Sequence, residues 1–598
     1  MSEPAVTHDS PPRISVSSTS TLANRTGSWK YIRPRYQDGV APCNARCPTG
    51  VDVEGYMNLL REGRIADALD LVLRENPMPA ITGRVCHHPC ELACNRAQYD
   101  DPVAVHLVER EMGDRVLSMP PPVLRRTHTE KVAVVGSGPA GLACAYHLAR
   151  LGYGVTVFEE AAKAGGMLRQ GIPDYRLPRD ILDRQIRWFS DAGIEFRCNT
   201  RIAGEYADKL LRDYAAVFVA TGAHRSRPLG VTGEDSPRVM AGLDFLKAVN
   251  RGEAPEIGRR VVVVGGGNTA IDCARTALRL GATPVVLYRR TRQEMPAIAA
   301  EVDEAMREGI AFEFLAAPRA VHHLQGRQAG VECERMVLGE PDASGRRRPV
   351  PSNAGTFSIL AETVLTAIGE EPGLEALPLH AAAPDQALID ELGATPAAGI
   401  WAGGDAAGIE RTVSDALGSG KVAAIGIDRA IRTRNGEEVP PNDIAELRWS
   451  GGNISMSRWR GDDPVQRHGA TNEVVGFDRL NTAHFVHVTR QREARDADHV
   501  TVEPVGTAFE RATDGTAFDF GEVNPGLTAM QALEEARRCL NCGVCNQCEL
   551  CLILCPDVAI TRQEGGTGFD IDLNYCKGCG VCAMECPRGA IVMTREGL

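Results

Sequence analysis

Apolar and polar positions follow one another in three different rhythms along the chain. Residues 1–30 hold too few apolar groups to offset the entropy of ordering, so a mobile tail is expected there. From residue 31 to 118 the rhythm is helical. GYMNLLREGRIADALDLVLREN spaces Leu59, Leu60, Ile65, Leu69, Leu71 and Leu73 at near-helical intervals, and Asn76-Pro77 ends the run. Met119 to Pro122 (MPPP) reads as a stiff hinge. The rhythm then changes twice to a short apolar strand, a glycine-rich turn, a helix and a second strand. KVAVVGSGPAGLACAYHLARLGYGVTVFEE does this from Lys131, and RRVVVVGGGNTAIDCARTALRLGATPVVLYRR from Arg259. Residues 432–530 are polar with weak periodicity and read as a linker that wraps other domains. The last 60 residues carry an internal repeat, CNQCELCLILCPDVAI and CKGCGVCAMECPRGAI.

Length and charge narrow the class. A chain of 598 residues suggests roughly four domains. Its net charge of −12 argues against a dedicated nucleic-acid binder, which needs clustered basic charge. No apolar run approaches the roughly 18 to 20 residues that cross a bilayer, and the polar start holds no signal-peptide core. A soluble, cytoplasmic protein with no membrane partner is expected. Of 19 cysteines, 15 fall in two terminal groups, and the long stretch between holds only Cys144, Cys198, Cys273 and Cys333. A secreted disulfide scaffold spreads its cysteines more evenly, so inorganic cofactors are expected, and the four between are read as small packing residues.

The first glycine turn supplies Gly136, Gly138 and Gly141 in G-x-G-x-x-G directly after a strand. The first glycine permits the tight turn, the second lets backbone approach a pyrophosphate, and the third lets helix and strand pack closely. The helix N-terminus offers free N–H groups to phosphate, and Glu159, ending the second strand, is placed to accept from a ribose hydroxyl. A plain α/β turn lacks this full set, so a dinucleotide site is expected. The second unit has Gly265, Gly267 and Ala270 in G-x-G-x-x-A, with Arg289 where the first has Glu159 and Arg290 beside it. A guanidinium pairs with a 2′-phosphate that a carboxylate repels, which favours NADP(H) over NAD(H). The alternative for these arginines is solvated charge at a strand end.

The C-terminal repeat is the most specific signal. Cys545, Cys548, Cys551 and Cys555 fit C-x2-C-x2-C-x3-C-P, as do Cys576, Cys579, Cys582 and Cys586. In two-cluster ferredoxins the fourth cysteine of each run ligates the other cluster. One 4Fe–4S cluster is thus expected on Cys545, Cys548, Cys551 and Cys586, the other on Cys576, Cys579, Cys582 and Cys555. Zinc ribbons, the competing reading, have paired C-x2-C motifs without the runs ending in Pro.

The stretches GSGPAGL, AGGMLRQGIPDYRLP, VFVATGA, GGGNTA with RRTRQEMPA, TAIGEEP and AGGDAAGIERTVSDALGSGKVAA, between residues 40 and about 430, resemble the glutamate synthase small-subunit family. Its relatives include dihydropyrimidine dehydrogenase and NADH-dependent ferredoxin:NADP oxidoreductase. The resemblance implies a helical iron–sulfur domain over 31–125, an FAD-binding Rossmann-like domain over 126–250 and 396–435 and an NAD(P)-binding domain inserted over 251–395. With a linker over 436–530 and a two-cluster ferredoxin fold over 531–598 read from the pattern and cysteine spacing, a multidomain α/β protein is expected. It places Gly165, Gly166, Gly171, Ile172, Thr221, Gly222 and Gly404 in the flavin environment and Asp405 on the ribityl chain. It adds Asn268 and Thr269 to the second nucleotide site. The helix after Asp405 would aim its N-terminus at the flavin ring. No catalytic acid or base is implied, because hydride passes between two bound cofactors.

By the same resemblance Cys47, Cys86 and Cys90 hold a cluster near the flavin, with Glu109 as fourth ligand; an exposed helix carboxylate is the alternative for Glu109. His87 and His88 read as turn or supporting residues. The family's upstream R-C-x-x-C-G is absent, leaving Cys43 and Cys94 short of two partners, and a matching RRCLNCG appears downstream with Cys539 and Cys542. That segment is expected to fold back and complete a further cluster, giving three to four in all; free thiols are the alternative. The C-terminal repeat also resembles the delta subunit of thiamine-dependent 2-oxoacid:ferredoxin oxidoreductases. The expected function is therefore an NAD(P)H:acceptor oxidoreductase, the flavoprotein subunit of a hetero-oligomeric 2-oxoacid oxidoreductase complex. A glutamate synthase small subunit and a free-standing NADPH:ferredoxin reductase are the alternatives.

Overall fold

The computed structural model describes residues 31–595 except 204, 254, 324–328, 343–344, 374–380, 384–385, 440–443, 449–452, 463–471, 492–518 and 565–567. The tail expected over 1–30 lies outside the described residues. The chain divides into two compact units, one of residues 42–464 with 488–539, the other of residues 1–41, 465–487 and 540–598. Among the described residues no helix is long and apolar enough to cross a membrane.

In the larger unit the first helical run is two helices, Val53–Arg61 and Ile65–Glu75, parted at Gly63, whose φ of 76° suits glycine. Pro79–Val85 and Val105–Val116 pack beside them. Tyr56, Met57, Leu71, Val72, Ile81, Val108 and Met112 from these helices join one core with Leu142, Tyr146, Leu168 and Phe189 of the neighbouring layer.

Two parallel five-stranded sheets follow. The first runs in the order Ile400–Ala402, Ala216–Val219, Lys131–Val135, Gly154–Phe158 and Glu195–Arg197. Its central strands are buried along nearly their whole length, as parallel strands covered on both faces must be. The second runs Ala311–Phe314, Thr283–Tyr288, Arg260–Val264, Thr363–Thr366 and Val239–Ala241. The last of these strands shows that the second sheet opens before residue 251, the expected boundary. Its sequence lacks the βαβ signature because it is a three-residue edge strand followed directly by helix Gly242–Asn250. An antiparallel sheet of Ala316–His323, Ala329–Pro341 and Arg347–Ala361, not foreseen from the sequence, packs against this domain.

A 22-residue helix, Val413–Arg434, lies along helix Pro139–Arg150. Its Lys421, fully buried, donates from Nζ to Thr49 O and to Glu75 Oε2, each at 2.6 Å. Glu75 also accepts from Ser455 Oγ, Met456 N and Ser457 N. Part of the expected linker is thus structured: Met456–Arg460 is a helix. Residues 519–527 also run as a strap, with Glu522 bound by Arg84 at 2.8 Å and Arg110 at 3.0 Å, and Val523 N donating to Tyr175 O.

In the smaller unit, Ile560–Arg562 and Phe569–Ile571 form a hairpin, and Leu550–Ile553 and Val581–Met584 are short helices. Residues 32–36, expected within a helical domain, form a strand here. Ile32–Tyr36 pairs antiparallel with Ile591–Arg595, from Ile32 opposite Arg595 to Tyr36 opposite Ile591. Alternating Arg and apolar positions (IRPRY) suit an edge strand better than a helix, and Pro34 bars a helix interior.

Candidate functional site

The two glycine turns form as the sequence requires. A Cβ on Gly136 would lie 2.3 Å from Ala220 O, and its φ is 104°, so only glycine fits. A Cβ on Gly138, by contrast, would meet nothing within 4 Å, leaving open space above the helix start. Helix Pro139–Arg150 begins there with no side-chain cap, so its first N–H groups remain available to an anion.

A cavity of about 950 Å³ opens on this turn. Gly136, Gly138, Glu159, Gly166, Gly171, Ile172, Thr221, Gly222, Gly404 and Asp405 line it, as do Asn268 and Thr269 of the second unit. Gly165 lies at its edge, its N–H on Ser137 Oγ at 2.8 Å. Thr221 Oγ1 is buried and without a hydrogen-bond partner, an acceptor or donor waiting for a ligand. Glu159 lines the cavity but is also braced by its own loop: Oε2 accepts from Ser137 N and Oγ, and Oε1 from Ala161 N. The open turn, the uncapped helix and the orphan hydroxyl fit a dinucleotide.

The second turn repeats the geometry, with a Cβ on Gly265 falling 2.1 Å from Ala367 O and open space above Gly267. Gly265, Gly267 and Ala270 lie outside the cavity lining; only the start of their helix, Asn268–Arg279, reaches it. Asn268 Oδ1 is already occupied by Ile298 N at 2.9 Å. Arg289 is exposed at the strand end, with no ion pair among the described residues. Arg290 is buried and engaged elsewhere: it donates to Asp342 Oδ2 at 2.6 Å and to Arg347 O at 2.8 Å. An arginine so placed holds the antiparallel sheet, whereas the Arg289 guanidinium is open to solvent.

Several residues that the sequence did not single out sit between the two turns. Arg176 donates to both carboxylate oxygens of Asp272 at 2.9 Å and lies 2.9 Å from Glu301, all three from separate elements. Glu370 lines the cavity too, and burial pushes its carboxyl up, as it does that of the expected Asp405, while Arg411 opposes both shifts. For Glu370 the motif TAIGEEP was the only signal available.

The cavity wall on the other side is Val85 and His87, which flank Cys86. Cys86 Sγ lies 3.5 Å from Ser414 Oγ and accepts from His88 N at 3.3 Å; His87 Nδ1 lies 3.4 Å from the same hydroxyl. Burial pushes the Cys86 thiol up to about 12, with Glu109 and Cys47 adding to the rise. Cys90 is raised by burial and then by its neighbours Glu91, Cys47, Cys86 and Cys43. Glu109 is half-buried rather than exposed. Its Oε1 accepts from Asn76 Nδ2 at 2.6 Å and Thr82 Oγ1 at 2.5 Å, and burial lifts its carboxyl to about 7 despite them. Cys94 stands apart, beside the buried Arg538 that precedes Cys539. Cys43, Cys94 and Cys539 all pack against the main core of the larger unit.

In the smaller unit Cys551 and Cys582 are buried with Ile560, Phe569 and Ile591, and Cys545, Cys555 and Cys586 pack against them. Cys576 is also buried, whereas Cys548 and Cys579 are exposed. Cys545 and Cys551 are both raised by burial and by the neighbouring Cys586 thiol, Cys582 by burial and by Cys576 and Cys579. Among the described residues no three such side chains close tightly enough to hold a single metal ion. Cys542, also buried, belongs to this unit. Of the four remaining cysteines, Cys144, Cys273 and Cys333 are buried and Cys198 is half-buried.

Three families match along the chain: pyridine nucleotide-disulphide oxidoreductase over residues 130–420, dihydropyrimidine dehydrogenase domain II, 4Fe-4S cluster, over 36–120, and 4Fe-4S binding domain over 569–592. The NADPH-Fe(3+) oxidoreductase subunit beta of Geobacter sulfurreducens is 38% identical over 538 residues, covering 84% of this chain and 75% of that protein. The glutamate synthase [NADPH] small chain of Escherichia coli is 36% identical over 412 residues, 64% of this chain and 87% of that one. This chain belongs to the glutamate synthase small-chain-like family. The NADP(+)-dependent formate dehydrogenase subunit beta of Moorella thermoacetica is a further relative, 41% identical over 424 residues, 66% of this chain and 60% of that one. As a member of the family the protein is an FAD- and iron–sulfur-dependent NAD(P)H oxidoreductase, with a C-terminal 4Fe–4S domain added to the two nucleotide-binding domains.

Proposed function

We propose that the chain is the electron-transfer subunit of a hetero-oligomer, binding FAD at the first glycine turn and NADP(H) at the second and relaying electrons through 4Fe–4S clusters to a catalytic partner. The observation that carries this is the single cavity, whose lining runs from Gly136 and Asp405 to Asn268 and Thr269 on one side and to His87, beside Cys86, on the other. The chemistry supplied by a bound flavin is the exchange of hydride for single electrons. The protein's own part is to orient and to exclude water. Gly138 and the uncapped helix receive phosphate, Asp405 and Thr221 receive the flavin's polar chain, and Arg289 receives a 2′-phosphate.

Cys47, Cys86, Cys90 and Glu109 are proposed as ligands of the cluster nearest the cavity. Cys545, Cys548, Cys551 and Cys586, and Cys576, Cys579, Cys582 and Cys555, are proposed for the two C-terminal clusters. Cys43, Cys94, Cys539 and Cys542 are the remaining four, and they supply a fourth cluster if all are used. The partner expected from the C-terminal repeat, a 2-oxoacid oxidoreductase, draws no support from the relatives. The names of two of them favour a formate dehydrogenase or a ferric-iron-reducing assembly instead. A cytoplasmic location accords with the acidic composition, a net charge of −12.

Anaerobic purification without tags from the native host, with iron, flavin and co-eluting subunits quantified, tests the reading. About sixteen irons and one flavin per chain with a large partner support it in full. About eight to twelve irons and a lone chain remove the fourth cluster and the partner, leaving a free-standing NADPH:ferredoxin reductase. Flavin reduction faster with NADH than with NADPH overturns the NADP(H) assignment.

A further inference from the structure

The first strand of the smaller unit brings a side chain to the sulfur of a candidate cluster ligand. Tyr36 ends strand Ile32–Tyr36, opposite Ile591 of the last strand. Its ring packs on Phe569, centroids 6.4 Å apart and planes 26° from parallel, and its hydroxyl lies 3.2 Å from Cys551 Sγ. The next residue but one, Asp38, accepts from Cys545 N at 3.2 Å, so the same segment braces the loop of a second proposed ligand. Cys582, which matches Cys551 in the repeat, has no hydroxyl partner among the described residues.

A thiolate bound to iron carries no proton and can only accept, so in the assembled protein the tyrosine hydroxyl donates. Hydrogen bonds to cluster sulfurs stabilise the more negative, reduced state and raise its potential. We propose that Tyr36 raises the reduction potential of the cluster held by Cys551. Tyr36 acts through Cys551, so it is a positioning residue. The ring contact with Phe569 holds the hydroxyl in place, and pairing along the strand holds the ring. The inference rests on the proposed ligand sets and extends them: the two repeats, alike in cysteine spacing, are made unequal by a strand from the other end of the chain.

The test is a potentiometric dithionite titration of the full-length, cluster-loaded protein, followed by electron paramagnetic resonance. Tyr36→Phe keeps the ring and removes only the donor. It is expected to retain wild-type iron and to make one C-terminal centre about tenfold harder to reduce, which is about 59 mV for a one-electron couple, with the other unmoved. Replacing Tyr36 with 3,5-difluorotyrosine, a stronger donor, is expected to move the same centre the opposite way. Unmoved potentials in Tyr36→Phe, or equal shifts in both centres, overturn the proposal. Should Tyr36→Phe lose iron, the fluorinated variant decides: a raised potential supports the proposal, and an unchanged or lowered one overturns it. Cys551→Ala reports on the ligand set separately. No loss of iron there sinks the ligand reading, whereas iron loss there with unmoved potentials in the tyrosine variants sinks the tuning alone.

Discussion

The turn after Lys131–Val135 and the turn after Arg260–Val264 share one plan. Each first glycine would drive a Cβ to within 2.3 or 2.1 Å of a carbonyl on the neighbouring strand's end, and each second glycine faces open space. They part at the end of the second strand. Glu159 bends into its own turn and is held by Ser137 and Ala161, whereas Arg289 stands exposed beside an Arg290 that is tied to Asp342. The surroundings differ as well. The first sheet shares its core with the helical layer, while the second has a separate core and meets the first domain partly through buried ion pairs of Arg176. The same plan of turn and helix thus leaves open space for a phosphate in both, and the two differ in the few residues around it.

The comparison breaks most completely at the third small residue. A Cβ on Gly141 would lie 2.0 Å from Gly136 O, whereas the second unit accommodates Ala270 at the same position. Gly141→Ala should abolish flavin binding, read as flavin per chain after desalting, while Ala270→Gly should leave nucleotide binding intact. Next is the contact between the domains. Arg176→Met should keep flavin but slow its reduction by NADPH about a hundredfold in stopped flow, because a misplacement of about 1 Å costs that much. Retained speed would show that Arg176–Asp272 does not set the approach of the two nucleotides.

The strand ends themselves give a sharper and smaller effect. Loss of one charge-assisted contact of about 1.5–3 kcal/mol should lower the preference for NADPH over NADH at least tenfold in Arg289→Ala. Arg290→Ala should leave the preference alone and lower the melting temperature. Smallest in catalytic effect is the buried Lys421–Glu75 pair, which anchors the first region only. Breaking it with Glu75→Gln should cost about 3–5 kcal/mol in unfolding and leave the nucleotide preference unchanged. Burial pushes the Glu75 carboxyl up, but Lys421 and the backbone N–H groups of Ser457 and Met456 hold it below its ordinary value. Its stabilising contribution is therefore full above the unfolded value near about pH 4.3 and is lost as pH falls below that. Acid unfolding of the wild type and Glu75→Gln should converge in that direction.

Both glycine turns, their strands and the helices after them were legible because turn geometry and apolar periodicity are local properties. So were the cysteine runs, whose spacing is itself the chemistry. What escaped depends on residues far apart. Nothing around Tyr36 announces a strand whose partner lies at Ile591, and Lys421 sits in a helix whose sequence does not mark its bond to Thr49. Arg176 belongs to a motif, GIPDYRLP, that reads only as family likeness until Asp272 is seen opposite it. Arg290 misled for the same reason. Adjacent to Arg289 in sequence, just past the strand, it is tied to Arg347 and Asp342 of a hairpin that the sequence pattern did not reveal.

The pairing of Ile32–Tyr36 with Ile591–Arg595 also fixes an order of events during synthesis. Arg33 and Thr594 meet across 561 residues, so at about 5–20 residues per second the first strand leaves the ribosome roughly half a minute to two minutes before its partner exists. The nucleotide-binding domains can close in that interval, but the cysteine-rich module cannot. Its sheet is completed only when Ile591–Arg595 meets a strand made 561 residues earlier, and iron delivered in that interval would find the module unfinished.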